Sequence, residues 1–244
     1  MISFYIVFLF FIIATLYSSI GFGGGSSYIA LLLVIQFPFE HMPMLALICN
    51  LIVVSSGAYY YIRNKHAQWK LLLPFIITSI PCAFIGGTLI IEKHNFKMIL
   101  ATCLLLASLR MLFSKKLAFS KPTIPNLWIS CSIGALLGLI SGIVGIGGGI
   151  FRSPILYNLK WGKPKQISTV CCLFIFFNSI AGIFGQLQKQ TAEYFLLEYW
   201  PLAFAVFVGA QLGSYLGAVK LRPRTVELTT GILIFFVSLR ILWI

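Results

Sequence analysis

Two glycine clusters 124 residues apart do most to constrain how this chain can fold: Gly21-Phe22-Gly23-Gly24-Gly25 and Gly145-Ile146-Gly147-Gly148-Gly149. Each interrupts an apolar stretch. Glycine frees the backbone there and lets another segment or a ligand come close. Other features recur with them. Asn50 matches Asn178, and each is followed seven residues on by a glycine, Gly57 and Gly185. Residues 83–86 match 210–213, and 108–112 match 238–242, so the offset drifts only from 124 to 130. Ordered matches of this kind mark an internal duplication. The halves are 1–114 and 127–244, joined by a polar linker, 115–126, that carries Lys115, Lys116, Lys121, Pro122 and Pro125.

Each half holds five apolar segments. They run at about 3–20, 25–37, 43–62, 71–91 and 97–113, then 127–144, 148–159, 166–187, 199–219 and 226–244. Most have the ~20 residues that span a bilayer as a helix. The segment after each glycine cluster is too short to do so comfortably. Of 244 residues, 59% are hydrophobic and 9% are charged, against about 45–50% and about 25% in a soluble domain. A mean hydropathy of +0.98 excludes a soluble enzyme, a secreted disulfide scaffold and a disordered tail. The expected fold class is an all-α integral membrane protein of about eight to ten transmembrane or half-membrane helices. The N-terminal stretch lacks a basic n-region and a cleavage site, so it reads as the first membrane segment.

The net charge of +13 fits basic cytoplasmic loops better than nucleic-acid binding. If each glycine-linked pair crosses twice or forms a re-entrant hairpin, the loop lysines and arginines divide 12 against 3. The minority side then holds Lys93, Lys97 and Lys189. If the pair is one broken helix crossing once, they divide 8 against 7. The positive-inside rule prefers the first arrangement. The two halves would then insert in opposite orientations, the inverted-repeat plan of many transporters. Both termini would lie outside the cytoplasm.

A helix starting just after each cluster would point free N–H groups and a positive dipole end at one spot. Two such starts, from Gly23, Gly24, Gly25, Ser26 and Ser27 and from Gly147, Gly148 and Gly149, would make an anion site near the midplane. The alternative is that these glycines only permit tight helix packing. That packing role is expected of Gly209, Gly213 and Gly217, of Ser79, Ala83 and Gly87, and of Gly134, Gly138 and Gly142. Arg152 lies inside an apolar segment with no acid nearby in sequence, so it reads as a functional group or as a side chain snorkelling to an interface. Arg110 and Arg240, near segment ends, read as snorkelling. Asn50 and Asn178 are mid-segment amides that either bond across helices or line the path, and Ser179 is a weaker candidate of the same kind.

The five acids and three histidines all read as loop or segment-end residues, which suits an anion path and leaves no proton relay. No metal-ligand cluster, nucleophile–base pair or phosphate-binding loop is recognisable, so neither an enzyme nor a cofactor is expected. The six cysteines lie in apolar runs without metal-site spacing and read as small buried hydrophobes, with a sulfur-chemistry role as the alternative.

With these residues the sequence resembles the sulfite exporter TauE/SafE family of membrane permeases. The resemblance rests on the duplicated clusters, on Gly145-Ile146-Gly147-Gly148-Gly149 followed by Pro154, on Lys163-Pro164-Lys165-Gln166, and on Asn178-Ser179 with Gly182. It covers essentially the whole chain. It implies a bacterial or archaeal inner-membrane transporter of small sulfur-containing anions, such as sulfite or organosulfonates, with the lipid bilayer as its surroundings. A homodimer is permitted. Arg152 departs from the apolar residue expected there, and the proline after the first cluster is delayed to Pro38. Rival readings are a cysteine-assisted thiosulfate carrier and a non-transporting membrane scaffold.

Overall fold

The computed structural model describes residues 4–20, 22–63, 68–113, 126–158, 161, 164–189, 199–219, 228, 231–232, 234–236 and 238–239. Most of the linker, much of the last apolar segment, Arg240 and the side chain of Arg110 lie outside the described residues. The elements are α1 (Phe4–Ile20), α2 (Gly25–Val34), α3 (Met42–Arg63), α4 (Trp69–Thr88), α5 (Lys93–Phe113), α6 (Leu127–Val144), α7 (Gly149–Asn158), α8 (Pro164–Gln186) and α9 (Trp200–Val219). No strand occurs among the described residues. In hydrocarbon a helix satisfies its own backbone, whereas an open strand edge does not. Among the described residues four helices have the length and apolarity to cross a membrane: Met42–Tyr59 within α3, Trp69–Thr88, Leu127–Val144, and Gln166–Gln186 within α8. By contrast α2 and α7 have 10 residues each. At 1.5 Å per residue each is about 15 Å long, half the ~30 Å hydrocarbon thickness.

Each glycine cluster folds the chain back on itself. Tyr28 on α2 stacks on Phe10 of α1 at 4.9 Å, and a Cβ on Gly24 would lie 3.2 Å from Tyr17. In the second half a Cβ on Gly148 would lie 3.4 Å from the Leu137 carbonyl, well back along α6. So α1–α2 and α6–α7 are hairpins rather than single broken helices. The reversal uses left-handed backbone at Gly24 (φ 83°), Gly145 (φ 85°), Gly147 (φ 79°) and Gly148 (φ 71°), where a side chain would be strained.

The long helices pack through small residues. A Cβ on Gly134 would meet the carbonyl of Phe75, one on Gly138 that of Ser79, and one on Gly142 that of Ala83. These steps of four on both partners make α4 and α6 parallel neighbours. The other end of the molecule repeats the arrangement, with Gly209 against the Phe11 carbonyl and Gly213 against that of Thr15 on α1. Thus α9 runs beside α1 as α4 runs beside α6. Between these pairs, α3 and α8 cross in opposite directions. Leu47 meets Gly182, and the Cys172 thiol donates to the Val54 carbonyl at 3.4 Å. Outward faces carry exposed Ile77, Leu136, Phe184, Phe204 and Tyr215, as a lipid-facing surface requires.

Chain direction sorts the charges. Arg63 closes α3 and Lys70 opens α4, while Lys93 opens α5 and Lys189 follows α8. The α4 C-terminus lies beside that of α8, since Gly87 meets Gly182 and Gly185. Lys93 and Lys189 therefore share the end opposite Arg63 and Lys70.

Candidate functional site

The two glycine clusters meet. A Cβ on Gly25 would lie 2.9 Å from the Ile146 carbonyl. Asn50 of α3 fills the seam between them. Its amide donates to the Gly145 carbonyl at 3.2 Å, and Cβ atoms on Gly23, Gly25 or Gly147 would run into it. From the opposite side, Ile175 of α8 presses on Gly23, Gly147 and Gly149. The starts of α2 and α7 are thus held together about 12 Å along α3 from its beginning.

This geometry changes one pairing read from the sequence. The residue that faces the clusters from α8 as Asn50 does from α3 is Ile175, not Asn178. Asn178 lies one turn further on, and its amide donates to the Phe174 carbonyl of its own helix at 3.0 Å. The clusters therefore see an amide on one wall and an aliphatic chain on the other.

Among the predicted polar residues, Ser27 is engaged by the Tyr17 hydroxyl at 2.8 Å. Ser26 Oγ, Asn50 Oδ1, Asn178 Oδ1, Ser179 Oγ and the Tyr28 hydroxyl are buried without hydrogen-bond partners. Such atoms are uncommon inside proteins and invite a ligand or water. A Gly147→Ala substitution adds positive-φ strain of about 1–2 kcal/mol and a clash with Asn50. It is expected to lower the melting temperature, as read by thermal unfolding beside the unsubstituted protein.

Arg152 does not snorkel. It sits three residues into α7, fully buried. Its guanidinium carbon lies 3.9 Å from the Phe75 ring centroid and 4.4 Å from that of Phe174. Nη1 reaches the Val170 carbonyl at 3.4 Å, a long contact. Nε and Nη2 have no partner. The surrounding cluster is apolar: Leu71, Leu72, Leu156, Trp161, Ile167 and Val170. An isolated buried charge costs several kcal/mol. A desolvated cation–π contact returns about 2 kcal/mol each, and unpaired donors cost about 1–3 kcal/mol apiece. The balance leaves a positive charge in want of an anion. Nε and Nη2 form the side of the guanidinium fork that takes two oxygens at once.

Phe75 and Phe174, which sandwich the charge, carry no signal in the sequence, because a buried aromatic and a lipid-facing one look alike there. The cysteines behave as packing residues. Cys49, Cys103, Cys171 and Cys172 are buried and Cys82 and Cys131 half-buried, all as free thiols. No group of three metal-ligating side chains occurs among the described residues.

Residues 6–241 match the profile of the sulfite exporter TauE/SafE family. A probable membrane transporter protein of Sinorhizobium fredii is 27% identical over 238 residues, covering 96% of each chain. An Arabidopsis thaliana protein named sulfite exporter TauE/SafE family protein 3 is 28% identical over 137 residues, 55% of this chain and 27% of its own. A probable membrane transporter protein of Methanocaldococcus jannaschii is 26% identical over 194 residues, covering 75% of this chain and 72% of its own. No solved structure matches the chain.

Proposed function

Because this chain belongs to the sulfite exporter TauE/SafE family of membrane transporters, we propose that it moves a small sulfur oxyanion or organosulfonate across a bacterial or archaeal inner membrane, with export as the direction. The observation that carries this reading is Arg152, a buried guanidinium whose Nε and Nη2 are both unpartnered. A sulfite or sulfonate head offers two oxygens at the spacing of that edge. The start of α7, three residues before Arg152 and joined to that of α2, supplies further backbone N–H groups. Transport proceeds by alternating access, with the halves acting as inverted repeats. The opposed directions of α3 and α8, and the matched pairs α1–α9 and α4–α6, support that arrangement. A singly protonated sulfite supplies its own proton, so no carboxylate relay is required.

Thermal unfolding of the purified protein against sulfite, sulfoacetate, taurine, sulfate, thiosulfate and chloride tests the reading. A ligand at a hundredfold excess over its Kd stabilises by about 2.7 kcal/mol. Selective stabilisation by a sulfur oxyanion or sulfonate is expected. Equal, negligible shifts for all six would sink it. Replacing all six cysteines with alanine or serine is expected to leave that selectivity intact, since their thiols pack against helices; its loss would instead favour the cysteine-assisted carrier.

A further inference from the structure

A cavity of about 530 Å³ opens at the end of the molecule opposite Arg63 and Lys70. Its lining shares no residue with the surroundings of Arg152. One wall is apolar, with Phe39, Phe96, Ile91 and Ile143. The other carries Thr88, Gln188 and Lys189, with Glu40 at the rim. Its floor includes Pro43, and a Cβ on Gly145 would lie 2.6 Å from the Pro43 Cα. A single layer of backbone thus divides the cavity from the second glycine cluster.

Lys189 is held in place rather than free to sweep through solvent. Its ammonium donates to Gln186 Oε1 at 3.0 Å, and the Gln186 amide donates to the Gly142 carbonyl at 2.9 Å. The charge is anchored to the last turn of α6, next to the cluster. Outside the lining, the Lys93 ammonium stands 5.9 Å from the Phe39 ring centroid, with Glu92 beside it in sequence. Of the residues that line the cavity, Lys189 is the cation and Glu40 the anion; the partly buried Lys189 lies within it, whereas Glu40 is exposed. On the other side of the clusters, Arg152, Phe75, Phe174 and Trp161 pack on one another.

We propose that this cavity is the outer vestibule of the transport path, where Lys189 holds an oxyanion bearing a short apolar tail before or after its passage through the glycine seam. An anion with an alkyl tail keeps its charged head at Lys189 and places the tail on Phe39, Phe96 and Ile143. A bare inorganic dianion gains less, because the same apolar walls strip its hydration without replacing it. The cavity faces outward because the basic excess at the other end marks the cytoplasmic side. The vestibule rests on the transport reading for its purpose but not for its occupancy.

The test uses Thr88→Cys in the full-length protein, since Thr88 lines the cavity and its hydroxyl bonds only within α4. A membrane-impermeant maleimide is applied to right-side-out and inside-out vesicles, with the unsubstituted protein as background. Labelling is expected from the outer face and slowed several-fold by ethanesulfonate. That protection should vanish with Lys189→Gln and return with Lys189→Arg. Labelling confined to the inner face, labelling indifferent to ethanesulfonate, or protection that survives Lys189→Gln would each overturn the proposal. Sulfite stabilisation of the same detergent-solubilised variants separates the two claims. If it persists without protection at residue 88, the vestibule fails and the Arg152 site stands. If protection persists without stabilisation, the vestibule stands and the Arg152 site fails.

Discussion

Arg152→Met is expected to abolish sulfite-dependent stabilisation and transport while leaving the anion-free protein as stable as before, or more so. The reasoning is the asymmetry of a buried charge. Replacing buried ionic groups by apolar ones of similar volume is often neutral or stabilising by about 1–4 kcal/mol. Here the charge lacks a carboxylate partner among the described residues, while two cation–π contacts are lost with it, so the change should fall in that neutral-to-stabilising range. Methionine keeps most of the volume between Phe75 and Phe174, which limits the cavity left behind. A purely structural arginine would behave oppositely, because its loss would lower stability and leave the anion response untouched. Melting temperature with and without sulfite, and efflux from loaded proteoliposomes, distinguish the two outcomes.

Gly142→Ala is expected to be among the most damaging single methyl groups at the described glycines. Its Cβ would strike the Ala83 carbonyl and lie 2.7 Å from the Gly87 amide nitrogen. Both are backbone atoms, so α4 and α6 must separate. Overpacking of a tight core costs about 1–3 kcal/mol, and sometimes more. The Gly142 carbonyl also receives the Gln186 amide, so the same shift disturbs the support of Lys189. Gly213→Ala at the matching α1–α9 contact, where the Cβ would strike the Thr15 carbonyl, should do comparable harm. Leu136→Ala is the control, since Leu136 is exposed on the α6 surface. Yield of monodisperse protein and melting temperature in detergent check the set. Gly142→Ala unfolding no earlier than Leu136→Ala would refute the account of this interface.

Both substitutions show where the sequence is readable. The packing stripes were legible because glycine at every fourth position has little other use in an apolar helix. The hairpins were legible through charge: only folding back at the clusters collects the basic loops on one side. The meeting of the clusters was legible because the same five-residue pattern occurs twice. The partner of Asn50 was not. Asparagine is conspicuous in an apolar run, so Asn178 drew the match, whereas the residue facing the clusters is Ile175, as inconspicuous as its neighbours. For Arg152, the residue type raised two alternatives that sequence spacing could not separate, since a ten-residue helix is compatible with either a buried or a snorkelling side chain.

The sequence by itself determined that the chain is helical and membrane-embedded, and that it turns at each glycine cluster. Composition, hydropathy length and left-handed glycine backbone are local properties, carried by each segment wherever it ends up. Only the tertiary structure decided that α4 and α8 bring Phe75 and Phe174 against Arg152, leaving Nε and Nη2 of its guanidinium without a partner. Only the tertiary structure set Lys189 over a cavity floored by the residue that touches Gly145. These arrangements join residues from different helices, and the crossing of those helices is fixed by which small residues let two backbones touch.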